Sequence, residues 1–277
     1  MTAPGPAPVA KPKIRGRLRL FLGRSWFKLR RHLRWRLGGV PYAQKRPDAC
    51  PHPQFSHATP LLRKLKDVDM ALQHSKVANL RIAVEKLDGV VIRPGEVFSY
   101  WRLIGKPTRR KGYRDGMILK NGQYSAGVGG GLCQLSNLLY WMALHTPLTV
   151  TERHRHGYDV FPDASRTQPF GSGATCYYNY IDLGLRNDTQ TTFRLALRVG
   201  EQNLEGAILA NAPATCRYEV YEKVHLMRLE AWGGYTRHNA LWRRQCAPDG
   251  TLLQDAPLVE NHAVMMYSPL LEENRPQ

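Results

Sequence analysis

The chain has 277 residues, of which 43% are hydrophobic, enough for one large domain with an ordinary core. Its net charge of +18 is uneven: 13 Lys or Arg and no acid lie between Lys11 and Arg46, while the remaining 27 basic residues face 22 acidic ones. The basic arm therefore says little about the body's ligand, and five cysteines without a CxxC spacing argue against a disulfide scaffold and fit a reducing compartment.

No segment approaches the roughly 20 apolar residues of a transmembrane helix. Arg19 and Arg24 interrupt the only candidate for a secretory signal. The expected location is cytoplasmic, peripheral at the inner face of the membrane. Residues 1–12 are Pro/Ala-rich and read as a tail. Arg17 to Leu37 follows a helical period, with Leu18, Leu22, Trp26, Leu29 and Leu33 on one face and Arg and Lys on the other. Such a helix suits an anionic membrane surface, with residues 14–37 as the contact. It also suits packing on the body with a solvated basic face. Nucleic acid is disfavoured as a partner, because no known binding module accompanies the charge.

Gly38-Gly39-Val40-Pro41 ends that helix, and a polar loop is expected to about Ser75. Cys50, His52 and His57 in it fit no common zinc spacing. Ser75 can cap a helix to Leu87 that buries Leu80, Ala83, Val84 and Leu87. Val90 to Ile92 reads as a strand, Arg93 to Glu96 as a turn, and Val97 to Trp101 as extended. Leu132 to His145 is a second helix, stopped by Pro147, with Leu132, Leu135, Leu138, Leu139 and Met142 as its apolar face. Leu148 to Arg153 reads as a strand. After residue 174 the chain looks all-β, with strands at 175–185, 192–199 and 218–224 and a turn at Pro248-Asp249-Gly250. The domains read as 1–47 (tail and basic helix), 48–270 (main domain) and 271–277 (tail). The fold class is α+β.

The densest chemistry is at Gly129-Gly130-Gly131-Leu132-Cys133. Three glycines permit close approach of a ligand or of another strand. The helix that follows has amide N–H groups without internal partners, which favour negative charge. A cysteine there is expected to hold its thiolate more readily than a free thiol. Cys133, Ser136, Asn137 and Tyr140 form one polar stripe, expected to line a cleft. The bland alternative is a packed core cysteine. His154 and His156 are candidate bases, with Asp159, Asp163 or Asp182 to orient them. His145 lies about 18 Å along the helix and is a poor partner. Cys133, His154 and His156 are too few ligands for a persuasive metal site, and no cofactor is expected.

Pro94-Gly95-Glu96-Val97-Phe98-Ser99, Gly112-Tyr113, Gly129 to Ser136 (GGGLCQLS), Leu139-Tyr140, Glu152 to His156 (ERHRH) and Asn187-Asp188-Thr189 occur in this order. Together they resemble the VanW family, over a motif core of 79–206. The resemblance implies a role in bacterial cell-envelope biology and glycopeptide resistance, without supplying a reaction. It singles out Cys133, Gln134, Arg153, His154 and His156. It also implies an Asp where this chain has Gly173, so a histidine-orienting Asp there is lost or replaced by Asp182. The expected activity is Cys133-dependent acyl transfer or hydrolysis on an envelope peptide or amide. His154 or His156 is then the base, and Gly129, Gly130, Gly131, Gln134, Ser136, Asn137, Tyr140 and Arg153 hold the oxyanion or ligand. One alternative is a non-catalytic module for a carboxylate or phosphate of a peptidoglycan precursor. Another is a membrane-surface scaffold.

Overall fold

The structure is a computed structural model, described over residues 16–62, 70–120, 123–160 and 168–269. The tails at 1–12 and 271–277 and the carboxylate of Asp163 lie outside the described residues. The first half contains α1 (Arg17–Leu37), β1 (Gln44–Lys45), β2 (His52–Pro60), α2 (Met70–Leu87), β3 (Val90–Ile92), β4 (Val97–Ser99) and α3 (Tyr100–Ile104). The hairpin β5 (Asp115–Lys120) and β6 (Gln123–Val128) leads into α4 (Cys133–Leu144), then β7 (Thr149–Glu152) and β8 (Tyr158–Asp159). The β-rich remainder comprises β9 (Gly184–Arg186), β10 (Phe193–Val199), β11 (Asn203–Ala210), β12 (Arg217–Leu229), β13 (Tyr235–Cys246) and β14 (Leu252–Met265). The fold is α+β.

Among the described residues the strands form four sheets, in the orders β1-β3-β10-β11-β2, β12-β13-β14-β8, β4-β9-β7 and β5-β6. α4 packs against β11 and β2. Its Leu135, Leu138, Leu139 and Met142 are fully buried, as the periodicity predicts. Each such side chain contributes about 1.5–3 kcal/mol. α2 packs on β10 and β5 and buries the predicted Leu80, Ala83, Val84 and Leu87. It is already helical at Met70, so Ser75 sits inside it rather than capping it. The same face continues with buried Gln73, Lys76 and Asn79, toward the glycine turn.

Three expectations are corrected. The polar stretch before Ser75 contains β1 and the nine-residue β2. Pro53 and Pro60 mask β2 in the sequence, but β2 is an edge strand, where a missing N–H is tolerated. Val97 to Trp101 is extended only to Ser99, whose hydroxyl caps α3 by accepting from Arg102 N. Residues 175–183 form no regular strand; Tyr177 and Ile181 make an isolated bridge, and strand structure begins at Gly184.

α1 runs over the predicted residues, but its orientation reverses the packed-helix expectation. None of its residues is buried, and the apolar stripe faces away from the body. The half-buried positions are Gly23, Arg24, Lys28, Arg31, His32 and Trp35, all but Gly23 on the opposite, cationic face.

Candidate functional site

The three glycines of the turn before α4 serve a crossing of two backbones. Gly129 N donates to Arg114 O (3.0 Å), Gly130 N to Gly127 O (2.9 Å) and Gly131 N to Met117 O (3.0 Å). A Cβ at Gly116 of β5 would lie 2.5 Å from the Gly130 carbonyl oxygen. Asn79 of α2 closes the crossing, donating to Gly130 O (2.9 Å) and Arg114 O (3.0 Å) and accepting from Arg114 N (2.8 Å). Of the two approaches that glycines permit, another strand or a ligand, the chain uses the strand. The amide donors expected of Gly129, Gly130 and Gly131 are therefore already engaged.

Cys133 is the first residue of α4 and is half-buried. Its thiol points at the Cys176 carbonyl, 3.6 Å away. Burial pushes the Cys133 thiol up, and the amides of Cys176 and Cys133 itself offset this only in part. This runs against the expectation of an easily formed thiolate, because desolvation is the largest influence on this thiol. Cys176 is buried and pushed further up, by burial and then by the neighbouring Cys133. All five cysteines are free.

Among the described residues the polar stripe of α4 faces chain rather than an open cleft. It grips the chain's own segment 171–176. Ser136, fully buried, donates to Ala174 O (2.7 Å), and Asn137 Oδ1 accepts from Ala174 N (2.8 Å). Tyr140 is buried beneath the Arg153 guanidinium, 5.0 Å from ring centre to Cζ. Gln134 turns the other way and donates to Thr59 Oγ1 (3.0 Å) and Pro60 O (2.9 Å), tying down the end of β2. A shallow hollow of about 670 Å³ lies elsewhere, between 56–58, 196–198 and 205–207, and holds none of the candidate site residues.

The ERHRH segment grips 171–176 as well. Thr175 N donates to His154 O (2.8 Å). Arg153 binds Gly173 O (3.0 and 2.8 Å) and Gly171 O, and reaches Asn261 Oδ1 (3.1 Å) of β14. The His154 ring is exposed and pairs with Glu152 Oε1 (3.2 Å). Burial and the adjacent Arg155 push the half-buried His156 down. Among the described residues no hydrogen bond joins Cys133 to His154 or His156. Two of the named acids, Asp159 and Asp182, lie among the described residues and have other partners. Asp159 meets Arg237 (3.3 Å) and Tyr267 (3.0 Å). Asp182 accepts from Ser99 Oγ (2.6 Å), Trp101 N (2.9 Å) and Leu183 N (3.0 Å). Among the described residues, no group of three or more His, Cys, Asp or Glu is placed to hold a metal ion.

The acid that meets His154 is Glu152, which sequence reasoning passed over although it opens ERHRH. Arg31 of α1 grips it with both terminal guanidinium nitrogens, Nη1 at 2.7 Å, and also reaches Tyr180 O (3.2 Å). Asp182 N donates to Glu152 Oε1 (3.2 Å). Burial alone would raise the Glu152 pKa, but hydrogen bonds from His154 and Arg31 more than offset it and hold the carboxyl at about 2. Asp182 has weaker compensation, and burial pushes it up to about 6. The usable signal was an isolated acid in a run of cations, on a chain whose basic arm contains no acid.

At Gly173, a Cβ would stand 2.7 Å from Asn137 Oδ1. The Asn137 amide therefore fills the space an Asp side chain would need. Gly173→Asp is expected to displace it, break its bond to Ala174 N and cost about 1–3 kcal/mol in urea unfolding. Unchanged stability would show that Asn137 has room to move.

A family model described as "VanW like protein" matches residues 75–209. The vancomycin B-type resistance protein VanW of Enterococcus faecalis (strain ATCC 700802 / V583) is 32% identical over 238 residues, 86% of each chain. An uncharacterized protein, YoaR, of Bacillus subtilis (strain 168) is 35% identical over 82 residues, 30% of this chain and 27% of its own. No solved structure matches significantly. With the shared length and identity of the enterococcal relative, and the motifs gathered around 171–176, the chain belongs to the VanW-like family.

Proposed function

We propose that this chain works in bacterial cell-envelope biology, on the side of glycopeptide resistance, and that it does so by non-covalent binding of an anionic envelope component rather than by thiol catalysis. Kinship across 86% of the enterococcal resistance protein supports the first part. One observation carries the second: the Cys133 thiol faces a carbonyl, with its pKa pushed up by burial and no imidazole bonded to it among the described residues. A cysteine nucleophile needs a populated thiolate and a base within hydrogen-bond reach. Outside the basic arm the body keeps a small excess, 27 basic against 22 acidic residues, and this favours a carboxylate or phosphate as the ligand. The rival reading is acyl transfer or hydrolysis on an envelope peptide or amide by Cys133 with His154 or His156. Its support is that Cys133 as a residue is only half-buried and that His154 and Cys133 meet neighbouring backbone groups, Thr175 N and Cys176 O.

Cys133→Ala and Cys133→Ser are expected to keep the protein's effect on vancomycin susceptibility in a cellular complementation assay. Alkylation of wild-type Cys133 near pH 7 is expected to run about tenfold or more slower than that of free cysteine, whose pKa is about 8.5. Loss of function in both variants, with circular dichroism unchanged, would restore the nucleophile.

A further inference from the structure

Apart from Trp35, which packs on the core, and Phe27, which stacks on Tyr180, α1 carries its large apolar side chains on the side that the body does not touch. Leu18, Leu22, Trp26, Leu29 and Leu33 recur at i, i+4, i+8, i+11 and i+15, one stripe along about four turns. Each is between 46% and 72% exposed, and Phe21 and Leu37 widen the stripe. The opposite face is attached by specific contacts. Arg31 binds Glu152 and Tyr180 O, Asn179 Nδ2 donates to Lys28 O (3.4 Å), and His32 meets the Tyr178 ring edge-on at 6.3 Å. Arg102 donates to Trp35 O (3.1 Å). The helix is thus held in one rotation about its axis, with the apolar stripe outward.

The border of the stripe is cationic. Arg19, Arg30, Arg34 and Arg36 are exposed, and α1 contains eight Lys or Arg and no acid. An apolar stripe of this size with a charged rim marks an interface. We propose that α1 docks the protein onto an anionic membrane surface, with the Leu18 to Leu33 stripe at the boundary of headgroups and acyl chains and the rim arginines against lipid phosphates. Charge complementarity selects this occupant over a second copy, since two α1 helices would bring their cations together with no acid to meet them. No helix among the described residues is long and apolar enough to cross a membrane, so contact at α1 is peripheral. Because the inner face ends on Arg31, docking holds Glu152 and its partner His154 about one helix diameter, ~10 Å, from the headgroups. The inference does not depend on whether Cys133 reacts.

The test is co-sedimentation of the full chain with vesicles of phosphatidylglycerol and phosphatidylcholine, against phosphatidylcholine alone, at low and high salt. Wild type is expected to pellet only with the anionic vesicles and to release as salt rises. Leu22→Gln, Trp26→Gln and Leu29→Gln combined are expected to weaken binding by about tenfold or more. Arg19→Gln and Arg30→Gln are expected to weaken it about fivefold each at low salt. The apolar positions are largely exposed, so unfolding curves of these variants serve as the folding control. Equal binding to neutral vesicles, or unchanged binding of the triple variant, would overturn the proposal. So would release by soluble glycerol phosphate at matched phosphate concentration, which would assign the rim to a free phosphate. Self-association that the triple variant abolishes, without vesicle binding, would assign the stripe to a second copy.

Discussion

Arg31→Ala is expected to loosen α1 from the body and to remove about 3 kcal/mol of stability. The side chains of Arg31 and Glu152 are 12% and 18% exposed, so the pair is shielded from solvent. Removing one partner of such a pair leaves the other charged and poorly hydrated, which costs about 3–5 kcal/mol. The lower end applies because His154 and the Asp182 amide still serve Glu152. The acid limb of stability gives a second readout. The folded pKa of Glu152, about 2, lies below its ordinary 4.5. It therefore contributes stability that is complete above about 4.5 and is lost as pH falls toward 2. Asp182 has the opposite sign. Its folded pKa of about 6 lies above the ordinary 3.8, so the stability it contributes is present below 3.8 and lost as pH rises through 6. The combined contribution of these two carboxyls is then expected to peak near pH 4–5 and to fall on both sides, by up to about 3 kcal/mol each. In Arg31→Ala the Glu152 pKa rises toward its ordinary value, and the loss below pH 4 shrinks. Urea unfolding across this range decides the matter; an unchanged midpoint with an unchanged acid limb would show that Arg31 does not hold the helix.

Helices α1 and α4 were legible because their periods are long and regular, whereas the five-residue α3 reads as extended and α2 as starting at Ser75 instead of Met70. Arg17 to Leu37 follows from its stripe alone, and α4 from Leu135, Leu138, Leu139 and Met142. Which side of α1 meets the body was not legible. Apolar periodicity assigns the inner face only when the partner surface is apolar. Here the partner surface is a carboxylate with tyrosines beside it, Glu152, Tyr178 and Tyr180, and it takes the face that carries Arg31 and His32, with Phe27 and Trp35 at its edges. The site shows the same division. The motifs GGGLCQLS and ERHRH do converge in space, but on segment 171–176, which lies between them and takes up their hydrogen bonds. Ser136 and Asn137 hold it from one side, and Arg153 and His154 from the other. A spacing in sequence shows that these residues belong together. It cannot show that the space between them is filled by the chain itself, nor that burial raises a thiol at a helix start.

Gly130→Ala is expected to cost roughly 4 kcal/mol or more, or to prevent folding, for a reason that backbone conformation does not supply. Gly95 is the control. Its φ is +77 and a Cβ there meets nothing within 4 Å, so Gly95→Ala carries strain alone, about 1–2 kcal/mol. A Cβ on Gly130 would instead overlap the Gly116 carbonyl, a backbone atom that no rotamer change can move aside. Overpacking against side chains typically costs about 1–3 kcal/mol. Here β5 must also separate from the turn, breaking the bonds from Gly131 N to Met117 O and from Asn79 to Gly130 O, at about 1 kcal/mol each. Paired urea unfolding of the two variants measures the difference; equal losses would mean that the crossing is looser than its geometry. A bulky residue at Gly130 therefore disrupts the protein whether or not an anion binds near it, so intolerance at this glycine does not report on a ligand. Positions whose side chains can change without parting two backbones, Cys133 and Gln134 first among them, are where binding and folding can be separated.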